Sequence, residues 1–171
     1  MNYLNEIKTR VTWLLIGLTL SLGIAQIIKG FEETLRENLI LATFIPLVVY
    51  MSDAVGTQME AMVIRELNNK NKFHFMTFLR QQFVIVSAVA LLVGAAAGLV
   101  VGLLNNSQNL GVVIGLSLFG GIMSSLITGT VLPYIFWKMH DDPAEASGPI
   151  ATVLQDLISV VMFFLLARAI L

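Results

Sequence analysis

Five long apolar stretches, at about 11–28, 39–64, 83–104, 110–137 and 149–171, occupy most of this 171-residue chain. A helix that crosses the hydrocarbon of a bilayer needs about 20 apolar residues in a row, because its backbone must satisfy its own hydrogen bonds there. The stretches between them are too short to hold a soluble domain. The expected fold is therefore an all-α integral membrane protein with five transmembrane helices, forming a single domain over residues 1–171 in contact with the lipid bilayer. Composition agrees: 57% of the residues are hydrophobic and 12% are charged, about half the charge of an ordinary soluble domain. The 10 basic and 11 acidic residues nearly cancel, so no basic patch argues for nucleic acid. A cysteine count of zero removes disulfides, thiolate metal sites and cysteine nucleophiles. The first apolar run is too long for a signal-peptide core and is followed by no clear small-residue cleavage site, so it reads as a retained helix.

Basic residues in short loops set orientation. With the N-terminus in the cytoplasm, the inner side collects Lys8, Arg10, Arg65, Lys70, Lys72, Arg80 and Lys138, while the outer side keeps Lys29, Arg36 and Arg168. The expectation is a multi-pass protein of the cell (inner) membrane with a cytoplasmic N-terminus and an external C-terminus. Trp13 and the region from Tyr134 to Trp137 fall near interface level, as aromatic belts do.

Several features read as packing. Gly94, Gly98 and Gly102 recur every fourth residue on the third span, and Gly111 with Gly115 and Gly121 with Ser125 repeat the spacing on the fourth. Such rows let helices approach closely. Gly129 and Pro133 predict a bend in the fourth span. Asp142-Pro143-Ala144-Glu145 has the pattern of a helix start, with Asp at the N-cap, Pro at the first helical position and Glu at the third, and a direct ion contact by Asp141 and Asp142 is the equal alternative. His74 and His140 fall in loops and read as solvated residues.

Three carboxylates need another explanation. Asp53, Glu60 and Asp156 lie within apolar spans, where a charge costs about 2.5–3.5 kcal/mol on insertion scales. No Lys or Arg lies at their depth in the same spans. Helical periodicity puts Pro46, Asp53, Thr57 and Glu60 on one stripe of the second span, and Pro149, Thr152, Asp156 and Ser159 on one stripe of the fifth. From the rise per residue, Asp156 lies about 10 Å beyond Pro149, Glu60 about 7–8 Å from Arg65, and Asp53 about 10 Å further toward the outside. Glu60 also has a purely structural reading, pairing with Arg65 at the cytoplasmic surface. Carboxylate, hydroxyl and carbonyl oxygens are hard donors that suit Mg²⁺, Ca²⁺ or Mn²⁺.

Two segments resemble a known family. One is Pro46-Leu47-Val48-Val49-Tyr50-Met51-Ser52-Asp53-Ala54-Val55-Gly56-Thr57-Gln58, followed by Val63-Ile64-Arg65. The other is Asp142-Pro143-Ala144-Glu145-Ala146-Ser147-Gly148-Pro149, with Asp156 beyond it. They look like signatures of the MgtE family of magnesium channels and transporters, whose membrane domain has five helices. The resemblance implies a homodimer with the cation pathway at the subunit interface, built mainly from the second and fifth spans, and it places the family's intramembrane Mg²⁺ site at Asp156. Where the family usually reads Gly-Gly-Asn on the second span, this chain has Ser52, Asp53 and Ala54. Glu60 is a further acidic addition. The better-known bacterial members also carry a cytoplasmic N-terminal domain and a CBS-domain pair. These 171 residues hold neither, so the expectation is a minimal, transmembrane-only member.

The expected function is transport of a divalent cation, Mg²⁺ ahead of Ca²⁺ or Mn²⁺. Asp53, Glu60 and Asp156 are the expected metal stations, with Thr57, Thr152 and Ser159 as secondary oxygen donors. A cation/proton or cation/Na⁺ exchanger on the same fold is the alternative. An enzyme is not expected: the carboxylates lack the Gly-x-Gly-Asp-type signature of an intramembrane aspartyl protease.

Overall fold

The computed structural model describes residues 3–68 and 73–171, apart from the side chain of Asn5. Lys70 and Lys72, two of the charges used to orient the chain, lie outside the described residues. Among the described residues six helices follow one another: α1 (Tyr3–Lys29), α2 (Glu32–Glu37), α3 (Leu41–Leu67), α4 (Phe75–Leu104), α5 (Gln108–Lys138) and α6 (Pro143–Ile170). No strand occurs among the described residues.

Four of these helices, α1, α4, α5 and α6, are long and apolar enough to cross a membrane. The second span corresponds to α3, which has the same 27-residue length as α1. Its Asp53, Gln58 and Glu60 interrupt its apolar run, so it lacks an unbroken stretch of the kind the other four carry. The expectation of five spans is thus met approximately, by four apolar helices and one that carries polar groups into the bundle. The polar connection at 29–38 contains a short helix, α2, braced by a hydrogen bond of 2.6 Å from Arg36 Nη2 to Glu32 Oε1.

The helices outrun the apolar stretches because their ends are set by capping, not by hydropathy. Ser107 caps α5 by accepting from the Leu110 amide at 3.3 Å. Asp142 caps α6 by accepting from the Ala144 amide at 2.9 Å, with Pro143 in the first turn. Both satisfy amides that the first turn leaves without partners. The helix begun at Pro143 continues unbroken through Pro149 to Ile170, so the loop expected before the fifth span is largely helical. At the other end of that connection His140 has φ 65°. Its amide donates to the Trp137 carbonyl, and the Asp141 amide donates to the Phe136 carbonyl. This is a Schellman closure of α5, with His140 at the left-handed position.

α5 is the central helix and packs against α3, α4 and α6; α1 leans on α6. The α4–α5 contact runs glycine to glycine, as the spacing predicted. A methyl group at Gly98 would stand 2.7 Å from the Gly111 carbonyl oxygen, and one at Gly94 would stand 2.7 Å from that of Gly115. On the next face of α5, Gly121 and Gly129 admit Ser52 and the Gly56 backbone of α3. Two apolar clusters fill the bundle. One joins Leu41, Val48, Leu118, Phe163 and Phe164, with Phe31 stacked on Phe164 at 5.0 Å. The other joins Val55, Met59, Val86, Ile122 and Leu126. Between them the interior is polar, with Ser52, Ser125, Gln155 and Ser159 all buried.

Candidate cation site

The site lies where α3 and α6 meet. α6 buries one row of residues spaced four apart, Ser147, Ala151, Gln155, Ser159, Phe163 and Ala167. Asp156 sits one residue, about 100° of helix, beyond Gln155 and is therefore half-buried, at the margin of that row. Its Oδ1 is sealed from solvent and has no hydrogen-bond partner. A buried acceptor left in this condition is costly, and a carboxylate oxygen more so. Asp53 of α3 is also half-buried, and its charge acts on both Asp156 and Glu60. Asp53 therefore lies within charge range of each of the other two carboxylates, across the α3–α6 contact in the case of Asp156.

Glu60 is tied to α6. The Ser147 hydroxyl donates to its Oε1 and also lies against the Pro143 carbonyl. The ion pairs among the described residues are Arg10–Glu6 and Arg36–Glu32. Glu60 thus bonds Ser147 and not Arg65, which is exposed.

The three hydroxyl residues are placed differently. Thr57 is exposed and donates to the Asp53 carbonyl at 2.9 Å. Thr152 is exposed one turn before Asp156. Ser159 is buried where the stripe meets the α5 seam, donating to the Gln155 carbonyl at 2.7 Å and accepting from Gln155 Nε2 at 3.0 Å. The structure therefore sets Asp53 within charge range of both Glu60 and Asp156 and leaves Thr57 and Thr152 exposed on α3 and α6. Among the described residues, no three His, Cys, Asp or Glu gather closely enough to hold a metal ion within one protomer.

Two polar residues beside the carboxylates carry no mark in the sequence. Gln155 is buried and bonded to α5, and Ser147 links α6 to Glu60. Both are uncharged and sit among ordinary neighbours. The one available signal was their spacing of eight residues, two helical repeats of four, on a single face of α6, with Ser159 four residues further along.

Carboxylates carried into a bundle of apolar helices are costly, and in multi-pass membrane proteins such residues mark substrate or ion pathways. The profile of MgtE, described as a divalent cation transporter, matches residues 45–166. The chain belongs to the MgtE family. It is 32% identical over 166 residues to the magnesium transporter MgtE of Bacillus subtilis (strain 168), covering 94% of this chain and 36% of that protein. Against the magnesium transporter MgtE of Enterococcus faecalis it is 32% identical over 168 residues, covering 97% of this chain and 37% of the relative. The Thermus thermophilus magnesium transporter MgtE is 27% identical over 165 residues. The chain spans little more than a third of the length of these relatives.

Proposed function

We propose that this chain carries divalent cations, Mg²⁺ first, across the membrane. The pathway runs between two copies of the chain and is lined by α3 and α6. The observation that carries this reading is the Asp156 carboxylate, whose buried Oδ1 lacks a partner while Asp53 adds a second negative charge nearby. A cation relieves both conditions at once, and a twofold axis would present each carboxylate twice to a single hydrated ion. Mg²⁺ sheds its waters reluctantly and is often held by one or two carboxylates with several waters retained, which suits a site with few carboxylates at each level. Thr57 and Thr152 add hydroxyl oxygens on the flanks, and Ser159 backs Asp156 from the α5 seam. Glu60 forms the station nearest the cytoplasm. Each 100 mV of membrane potential, negative inside, drives a divalent cation inward by about 4.6 kcal/mol.

One observation favours the exchanger as a second reading. The Ser147 hydroxyl has a single proton but lies against two acceptors, Glu60 Oε1 and the Pro143 carbonyl. A proton carried by Glu60 would complete that pair, so cation release there can be coupled to proton uptake.

The test is Mg²⁺ uptake into liposomes loaded with a fluorescent indicator, with and without an imposed pH gradient. Asp156→Asn is expected to abolish uptake. Uptake at the unaltered rate would remove Asp156 from the pathway. Uptake that follows the pH gradient selects the exchanger, and uptake indifferent to it selects passive conduction.

A further inference from the structure

We propose that Gln155 is the positioning residue of the cation site: its buried amide sets the rotation of α6 about its own axis and so holds the neighbouring Asp156 carboxylate in the field of Asp53. This rests on the reading of Asp156 as a cation ligand.

The need for such a residue follows from the solvent. In water a helix is oriented by burying its apolar stripe. In lipid the hydrocarbon is as apolar as Leu, so burial alone cannot choose which face of an apolar helix turns inward. α6 presents Leu, Ile, Val, Met or Phe on every side over 157–166. Its rotation must be set by directional contacts and by shape.

Gln155 supplies the directional contacts. It is 1% exposed. Its Oε1 accepts from Thr128 Oγ1 at 2.6 Å. Its Nε2 donates toward the Gly121 carbonyl at 2.9 Å, Ser124 Oγ at 3.0 Å and Ser159 Oγ at 3.0 Å. Gly121, Ser124 and Thr128 are spaced three and four residues apart and form one face of α5. Both ends of one amide are thus engaged across the α5–α6 seam. Turning α6 by a single residue would break every bond from Gln155 to α5 and drive Asp156 toward Gly121, where Ser52 and Ser159 already fill the space a side chain would need. The Ser147–Glu60 bond braces the cytoplasmic end of the same helix against α3. Gln155 never reaches the pathway; it acts through Asp156.

Gln155→Met keeps the side chain's length and removes both hydrogen-bonding ends. In the liposome assay, with rates normalised to reconstituted protein, we expect KM for Mg²⁺ to rise about tenfold, the scale on which outer-shell partners tune metal ligands, while Vmax changes less than about twofold. Thr128→Val removes one bond of the same network and is expected to raise KM in the same direction by less. It also carries the test if Gln155→Met fails to insert. The double variant is expected to match Gln155→Met alone, because both changes break one network. KM unchanged in both single variants, with only Vmax or thermal stability lowered, would overturn the inference by showing a merely structural role. Additive effects in the double variant would overturn it as well. Asp156→Asn separates the two levels: if uptake survives that substitution, the ligand assignment fails and this inference with it. If uptake is lost there but KM holds in both single variants, only the role of Gln155 fails.

Discussion

Each carboxylate in the α3–α6 region has a different set of neighbours, and these differences set its role. Asp156 holds an unpartnered buried oxygen, Glu60 a hydroxyl from Ser147, and Asp53 a position from which it repels both. Asp53 stands where the family usually has an uncharged residue, so it should add affinity and not create the site. Asp53→Asn is expected to leave uptake measurable but weaken Mg²⁺ binding at least about tenfold, since affinity for hard cations follows the count of ligand charges. Titration of purified protein in detergent measures this; an unchanged Kd would place Asp53 outside the ion's field. The carboxylates were legible in the sequence because a charge inside an apolar run has a cost that must be met. Gln155 and Ser147 were not, because an uncharged polar side chain in a membrane helix can find its partner on a neighbouring helix, and only that partner reveals its purpose. Ser159 was read on the Asp156 stripe from spacing. Three residues along is about 60° around the helix, enough to bring Ser159 to the α5 seam while Asp156 stays at its margin.

Among the helices, shape does what burial does in a soluble protein. The glycine row joining α4 and α5 was read correctly from the four-residue spacing because close approach is impossible with any larger residue. Gly98→Ala would press a methyl group onto the Gly111 backbone, which cannot swing aside. The expected cost is about 1–3 kcal/mol, typical of overpacking, seen as a lower thermal unfolding midpoint in detergent. Gly23 on α1 is the control, with nothing within 4 Å of the added methyl. Gly23→Ala should leave the midpoint unchanged or slightly raised, since Ala is the better helix former. Equal losses in the two variants would show that the α4–α5 seam is not a tight contact. Helix ends were less legible than helix cores: hydropathy stops at the edge of the hydrocarbon, whereas the hydrogen-bond ladder runs on until a cap such as Ser107 or Asp142 marks its boundary.

The molecule as a whole must choose a direction in the membrane, and its cysteine-free sequence makes that choice measurable. Gln108→Cys, at the α4–α5 turn, is expected to react in intact cells with a maleimide that cannot cross the membrane. Asp141→Cys, at the α5–α6 turn, is expected to react only after the cells are opened. The reverse pattern would invert the orientation drawn from the basic residues and, with it, the order in which an entering ion meets Asp53 and Glu60. That the chain is a multi-pass membrane protein, roughly where its apolar segments lie, and which charges are out of place there were determined by the sequence alone, because transfer into hydrocarbon is a property of each segment taken by itself. Which way each helix turns was decided only by tertiary structure. In lipid, apolar faces are nearly equivalent, and the contact of Gly98 with Gly111, the bond of Ser147 to Glu60 and the network around Gln155 exist only once the helices have met.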